Sequence, residues 1–196
     1  MLIPIRILVV YDGGFHNAAN SCLGKGRYVD FDKFHSFLIE NISNKILGSS
    51  ASSISPFLNS PLLLVDKIWF EGPLSSRGDS RESFYVALRL SGIREIYSPY
   101  FGQSERGVTE KAVDVWVALE TYETALTTQA HIVVLVTGDA DFIPLVRKLK
   151  ARGVLTVGIK WKNCSKAQLN ERLEKELWYV IDMDENMDKF VVSSSK

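Results

Sequence analysis

The hydrophobic pattern of this chain is a series of short β-branched runs separated by longer stretches of helical spacing. Ile5–Tyr11 is apolar at nearly every position, as a strand covered on both faces must be. Leu62–Phe70, Ile132–Val136 and Val154–Ile159 repeat that pattern, Glu95–Tyr97 begins a shorter strand, and Tyr179–Ile181 reads as a last edge strand. Phe31–Glu40 carries Phe34, Phe37 and Leu38 at helical spacing, with Asp30 or Asp32 as N-cap. Arg81–Leu90, Thr109–Thr127, Phe142–Ala151 and Ala167–Leu177 continue the helical series. The long 109–127 helix is expected to turn Val113, Val117, Leu119 and Leu126 mostly inward, and Gly153 stops the helix before it. Strands alternating with helices predict an α/β fold, with a mostly parallel sheet of about five to six strands flanked by helices. Ser43–Ser60 reads as a Ser-rich loop or insertion, the segment from Tyr97 to Gly107 as irregular, and Asn186–Lys196 as a flexible tail. One domain over residues 1–185 follows.

Composition narrows this picture. With 196 residues and 46% apolar content, the chain can bury the core of one α/β domain but not of two. Lys plus Arg equals Asp plus Glu at 23 each, so a globally basic nucleic-acid binder is not indicated. The charge is unevenly spread, however. From Pro144 to Leu169 the basic residues are Arg147, Lys148, Lys150, Arg152, Lys160, Lys162 and Lys166, and no acid interrupts them. Such a stretch reads either as a solvated face or as a track for a phosphate backbone. The two cysteines, Cys22 and Cys164, suggest no disulfide framework and a reducing compartment. The N-terminal apolar run meets Arg6 and Asp12 too early for a signal peptide or a membrane span. A cytoplasmic protein without membrane attachment is the expectation.

The candidate chemistry lies where two of the apolar runs stop. Ile132–Val136 ends in Thr137-Gly138-Asp139-Ala140-Asp141-Phe142, and Ile5–Tyr11 ends in Asp12-Gly13-Gly14-Phe15. The C-terminal edge of a parallel sheet, at the switch point between strands, is where ligands bind. If the two strands are neighbours, about 4.8 Å apart, Asp12, Asp139 and Asp141 converge there. Carboxylates that close push one another toward protonation unless a cation neutralises them, and oxygen-only donors favour Mg²⁺ or Mn²⁺. Asp114, flanked by apolar residues on the 109–127 helix, is costly there unless paired or at the rim of a site. Asp139 and Asp141 also have a plainer reading as caps of the following helix.

The chain resembles the NYN family, in the LabA-like branch of the PIN-like nucleases. The resemblance rests on Asp12-Gly13-Gly14-Phe15, on Glu110-Lys111-Ala112-Val113-Asp114-Val115, and on Val136-Thr137-Gly138-Asp139-Ala140-Asp141-Phe142 with Pro144-Leu145 and Gly153 beyond. It runs from about Ile5 to Ile181 and implies a three-layer, PIN-like (Rossmann-like) sandwich. It also implies a Mg²⁺ or Mn²⁺ site made by Asp12, Asp114, Asp139 and Asp141, phosphodiester hydrolysis on RNA or DNA, and Thr137 in a supporting role. One position departs from the family: many members carry Asn three residues after the first Asp, where this chain has Phe15, with Asn17 two residues out of register.

The resemblance implies a metal-dependent nuclease, foremost an endoribonuclease; single-stranded RNA is expected because a groove at a sheet edge tracks one flexible strand more readily than a stiff helix. Lys111 is either a phosphate contact near the metal or an ordinary exposed residue. Arg147, Lys148, Arg152, Lys160 and Lys162 could track the strand, and Tyr97, Tyr100 and Phe101 either pack or stack on bases. The alternative is a non-catalytic RNA-binding or regulatory module that keeps the fold and acts through RNA, a protein partner or a second copy. A metal-dependent phosphatase fits the acids but lacks an Asp-x-Asp motif after the first strand. His16, His35 and His131 are scattered and are assigned to no metal, Glu110 reads as a first-turn acid, and Glu120 is turned away from Asp114.

Overall fold

The computed structural model describes residues 3–48, 60–71, 82–97, 101–104, 107–110 and 113–193. Strand β1 (Ile5–Asp12) is its axis: Ile5 and Ile7 through Tyr11 are all buried, because both faces of the strand are covered. α1 (Gly13–Cys22), β2 (Arg27–Val29) and α2 (Phe31–Leu47) follow, then β3 (Leu62–Glu71), α3 (Glu82–Leu90) and β4 (Arg94–Tyr97). β5 (Phe101–Ser104) and β6 (Gly107–Glu110) form a separate antiparallel hairpin before α4 (Val113–Thr127). β7 (Ile132–Val136), α5 (Ile143–Ala151), β8 (Leu155–Lys160), α6 (Glu171–Glu174) and β9 (Tyr179–Asp182) complete the main sheet, and α7 (Met187–Phe190) and β10 (Val191–Ser193) close the described chain.

Six strands form that sheet in the order β4-β3-β1-β7-β8-β9, and every neighbouring pair is parallel. The chain builds outward from β1 through β3 and β4, then returns to the other side of β1 and builds outward through β7, β8 and β9. The switch point is therefore between β1 and β7. Their register pairs Tyr11 with Val136, so Asp12 and Thr137 leave the sheet side by side.

Alternation along β1 divides the core. Ile5, Ile7, Val9 and Tyr11 face α1, α2 and α3, packing on Phe34, Leu38, Ile42 and Leu88. Leu8 and Val10 face the opposite layer, where Val117 and Ala125 of α4 meet Val146 and Leu149 of α5. This helix–sheet–helix sandwich agrees with the α/β expectation. α5 ends as the sequence predicts: Gly153 adopts φ +75°, Gly153 N–H donates to Lys150 O at 3.0 Å, and Val154 N–H donates to Leu149 O at 3.0 Å.

Several expectations are corrected. Residues 13–22 are a helix that hydrophobic spacing does not announce, because Gly, Asn and Ala dominate it. α2 runs on through Ser43 to Leu47, since Ile42 and Ile46 continue its buried face; residues 49–59 of the Ser-rich stretch lie outside the described residues. The long helix begins at Val113, which leaves Glu110 in β6, and Leu119 and Leu126 point outward at 63% and 41% exposure. The 167–177 helix shrinks to Glu171–Glu174. The segment from Asn186 is not a free tail over its described residues. Phe190 is fully buried, 5.3 Å from the Phe34 ring and 5.0 Å from that of Phe37, and β10 pairs with β2. Burying one Phe stabilises by about 2–3 kcal/mol, which helps offset the ordering of a short segment.

The two cysteines are bonded to each other, contrary to the expectation from their number. Cys22 at the end of α1 joins Cys164 in the loop after β8, with Cα atoms 5.7 Å apart across 142 residues of sequence. The reading of a reducing compartment loses its support. Among the described residues, no helix is long and apolar enough to cross a membrane.

Two histidines are sealed into the α1–α2 layer. His16 stacks on Phe31 and meets the edge of Trp69, and burial holds its pKa down to about 3. His35 shares a 2.7 Å hydrogen bond with the Tyr11 hydroxyl; burial, then the Lys67 charge, holds it down to about 3. A folded-state pKa below the unfolded value means that stability is lost as pH falls below the ordinary histidine range. At pH 5 each histidine is expected to cost about 2 kcal/mol relative to pH 7.5. Urea melts at the two pH values check this: in His16→Phe, the gap between them should narrow by about that amount.

Candidate active site

Asp12 closes β1 and opens α1. Its backbone is extended, its Oδ1 accepts the Phe15 N–H at 3.1 Å, and its Oδ2 accepts the Thr137 hydroxyl at 3.0 Å. The carboxylate thus serves as helix cap and as a tie between the two central strand ends. Burial raises its pKa above the usual carboxylate value. The bonds from Phe15, Thr137 and Gly14 pull it back, and the Asp139 charge raises it further.

Beyond Thr137 the chain passes under the loop that follows β8. A Cβ on Gly138 would lie 2.1 Å from the Gln168 carbonyl oxygen and 2.7 Å from Phe15 Cε2, so only glycine fits. Asn170 N–H donates to Gly138 O at 2.9 Å and fixes that crossing. Asp139 then caps a 3₁₀ turn over Ala140–Phe142, its Oδ1 accepting the Asp141 N–H at 2.9 Å. The plain capping reading of Asp139 is therefore correct as far as it goes. It leaves the second oxygen of Asp139 and the side chain of Asp141 at the surface.

Asp114 reaches the same place from the first turn of α4. Asp114, Asp139 and Asp141 are exposed, and one carboxylate oxygen from each lies within 4.8 Å of the others. Asp12 is not in that group of three. It is half-buried where those three are exposed, and both its oxygens already accept hydrogen bonds. The sequence expects four converging acids; the structure gathers three and sets the fourth behind them.

Two grooves flank the Asp139–Asp141 segment. One, of about 700 Å³, is lined by Asp12, Phe15, Thr137, Asp139, Lys166 and Asn170 among others. The other, of about 670 Å³, is bordered by Asp114, Val115, Leu119, Asp141, Arg147 and Arg172. Sequence reasoning gave no site role to Lys166, Asn170 or Arg172. Only their position after the sheet's last crossovers brings them to this edge.

The basic stretch does not form the continuous track its composition suggests. Arg147 is bonded to Glu176 at 2.6 Å, Lys160 to Glu174 at 2.8 Å, and Lys162 to Asp182 and, at 3.3 Å, to Glu185. Arg152 donates to the Tyr122 hydroxyl at 3.1 Å. The acids missing from 144–169 arrive from residues 174–185 once β9 and α6 fold beside them. Of the five cations named from sequence, only Arg147 borders a groove, and Lys148 is exposed on α5 away from both. Lys111 and Tyr100 lie outside the described residues, as do the side chains of Tyr97, Phe101 and Glu110. Glu120 lines neither groove, and His131 is at the opposite edge of the sheet, its Nδ1 accepting the Arg6 N–H at 3.0 Å.

A raised Asp12 pKa fixes a sign. Its contribution to stability is full below its unfolded pKa and is lost as pH rises through the folded one, so the ionised carboxylate is a cost at neutral pH. Asn can keep the cap without the charge. Asp12→Asn is expected to raise the Tm in EDTA at pH 7 by about 2 °C, and by less at pH 4. Calorimetry at both pH values checks it.

A solved protein of unknown function from Vibrio parahaemolyticus superposes on this chain with a TM-score of 0.65 at 17% identity, covering 96% of this chain and 97% of that one. At that identity the likeness concerns the fold alone. No curated protein matches the chain. The NYN domain model matches residues 15–174, a span that holds Asp114, Asp139, Asp141 and both groove arginines and begins just after Asp12. With most of its length so matched, and with the acids gathered at the switch point of a parallel sheet, this chain belongs to the NYN domain family.

Proposed function

We propose that this protein is a metal-dependent nuclease, an endoribonuclease acting on single-stranded RNA. NYN domains belong to the PIN-like nuclease superfamily, whose members usually use divalent metals. The observation that carries the reading is the exposed cluster of Asp114, Asp139 and Asp141 at the switch-point edge. Three hard oxygen donors within 4.8 Å fit Mg²⁺ or Mn²⁺, and no nitrogen or sulfur donor competes in that group.

Asp114, Asp139 and Asp141 would hold the ion, which when bound supplies positive charge against the scissile phosphate and acidifies water. Asp12 acts from behind: its charge adds to the field at Asp139, and its hydrogen bond to Thr137 fixes the end of β7. The capping bond from Asp141 N–H holds one Asp139 oxygen, so the other keeps a defined direction. Lys166 lines one groove and Arg147 the other, so positive side chains stand on both sides of the cluster. Open grooves on both sides suit cleavage within a strand. A single strand can bend through such grooves where a stiff helix cannot.

One observation favours the non-catalytic RNA-binding alternative. Phe15 stands where many relatives carry Asn, and Asn17 does not replace it, since its amide donates to Glu71 at 3.2 Å. The two readings part on turnover. Wild type is expected to cleave single-stranded RNA in Mg²⁺ or Mn²⁺ and not in EDTA, and Asp139→Asn should lower the rate about 100-fold or more with the fold intact. A wild type that binds RNA but cuts neither RNA nor DNA in any metal would leave the alternative standing.

Metal binding is expected to appear as stability too. Millimolar Mn²⁺ should raise the Tm of wild type by mass action and by relief of carboxylate repulsion. Thermal melts should show that rise shrinking in Asp139→Asn.

A further inference from the structure

The groove between α4 and α5 has a composition that ion binding does not explain. Its floor is aliphatic. Val115 and Leu119, one helical turn apart on the outer face of α4, are 61% and 63% exposed, and Pro144 faces them from α5. Two large apolar side chains side by side offer a planar group a surface to rest on. Asp114 and Asp141 stand at one end of the groove, so it begins at the carboxylate cluster. Arg172 borders it from α6. Arg147, Lys160 and Lys162 each hold a carboxylate. Arg172 has no acidic partner among the described residues: only its backbone N–H is engaged, to Asn170 Oδ1 at 2.9 Å.

A guanidinium without a carboxylate, an apolar floor and a cluster of acids in one groove complement one nucleotide of a single strand. We propose that the α4–α5 groove is a nucleotide subsite, in which Arg172 holds the phosphate adjacent to the carboxylate cluster and Val115, Leu119 and Pro144 take the face of one base. Its volume of about 670 Å³ lies within the usual range of small-ligand sites. The floor offers no hydrogen-bonding side chain, so the base is held by contact and is not read. Arg172, with its planar fork, supplies the charge-assisted bonds to phosphate oxygens. Arg147, already bonded to Glu176, supplies the groove's wall. The subsite rests on the proposed nuclease reading for the identity of its occupant, but it concerns binding and is tested without turnover.

The test is fluorescence anisotropy of end-labelled single-stranded dodecamers, RNA and DNA of the same sequence, in EDTA over a series of salt concentrations. Arg172→Gln is expected to weaken binding about five- to tenfold and to reduce the salt slope by about one, as loss of a single phosphate contact does. Leu119→Asn, at an exposed position that the fold tolerates, should weaken binding about threefold for homopolymers of every base, with the salt slope unchanged. Lys189→Gln, remote from both grooves, should bind as wild type. An Arg172→Gln protein with wild-type affinity and slope, or a wild type that binds neither dodecamer, overturns the subsite. Metal-dependent cleavage with Arg172→Gln unaffected in binding would sink the subsite and spare the nuclease. Binding that depends on Arg172 in a protein that never cleaves would do the reverse.

Discussion

The Asp12 carboxylate is the interaction on which the site depends. Placing it at the end of a fully buried central strand costs solvation, and the fold recovers part of that cost with the Phe15 N–H and the Thr137 hydroxyl. Those two bonds do more than satisfy one side chain. The first starts α1 in the right direction, and α1 in turn carries Phe15 to the groove wall. The second joins the strands on either side of the switch point, so the Thr137–Asp141 segment leaves β7 from a fixed origin. Everything that collects at this edge is built outward from that pair.

The acids beyond this origin are treated differently. Asp114, Asp139 and Asp141 are left in water, where their repulsion is screened, and two of them also serve local structure. Asp139 caps a 3₁₀ turn, and Asp114 sits in the first turn of α4, where a negative charge is favoured. A cluster assembled this way needs no metal to fold. Some of the surrounding cations show the same economy: Arg147, Lys160 and Lys162 are paired with acids of the following segment, which breaks up the positive charge along the edge.

What was legible in the sequence follows from which forces act locally. The strands were legible because burial on both faces writes an unbroken apolar run, as in Ile132–Val136, and α5 because Gly153 supplies a positive φ at its end. The acids were legible because strand ends in a parallel sheet are also site positions. Elements held by distant partners were not. α1 has few apolar residues and is fixed by its Asp12 cap and its packing on the sheet, and Phe190 finds Phe34 and Phe37 only after the whole chain has folded. The basic stretch misled for the same reason, since the acids that pair with it lie from 14 residues (Lys160 to Glu174) to 29 residues (Arg147 to Glu176) further along the chain. The Cys22–Cys164 bond spans 142 residues, and a count of two cysteines carries no trace of it. Leu119 misled because an apolar residue on a helix is normally core, whereas here it lines a groove.

Phe15 stands where the family resemblance leads one to expect Asn, and its surroundings give that position a physical meaning. Its ring lies where a Cβ of Gly138 would stand, 2.7 Å from Cε2, and the Gln168 carbonyl closes the same space from the other side. The Gln168 carbonyl, 2.1 Å from that Cβ, already requires glycine at 138, and the Asn170 N–H bonded to Gly138 O fixes the crossing against which the Phe15 ring rests. Phe15 lines the cavity that also holds Asp12 and Asp139. An Asn at that position would offer hydrogen bonds; Phe offers an apolar ring beside the half-buried Asp12. Phe15 bears on the groove that Asp12 and Asp139 line, whereas the other groove, which Asp114 and Asp141 border, does not include it.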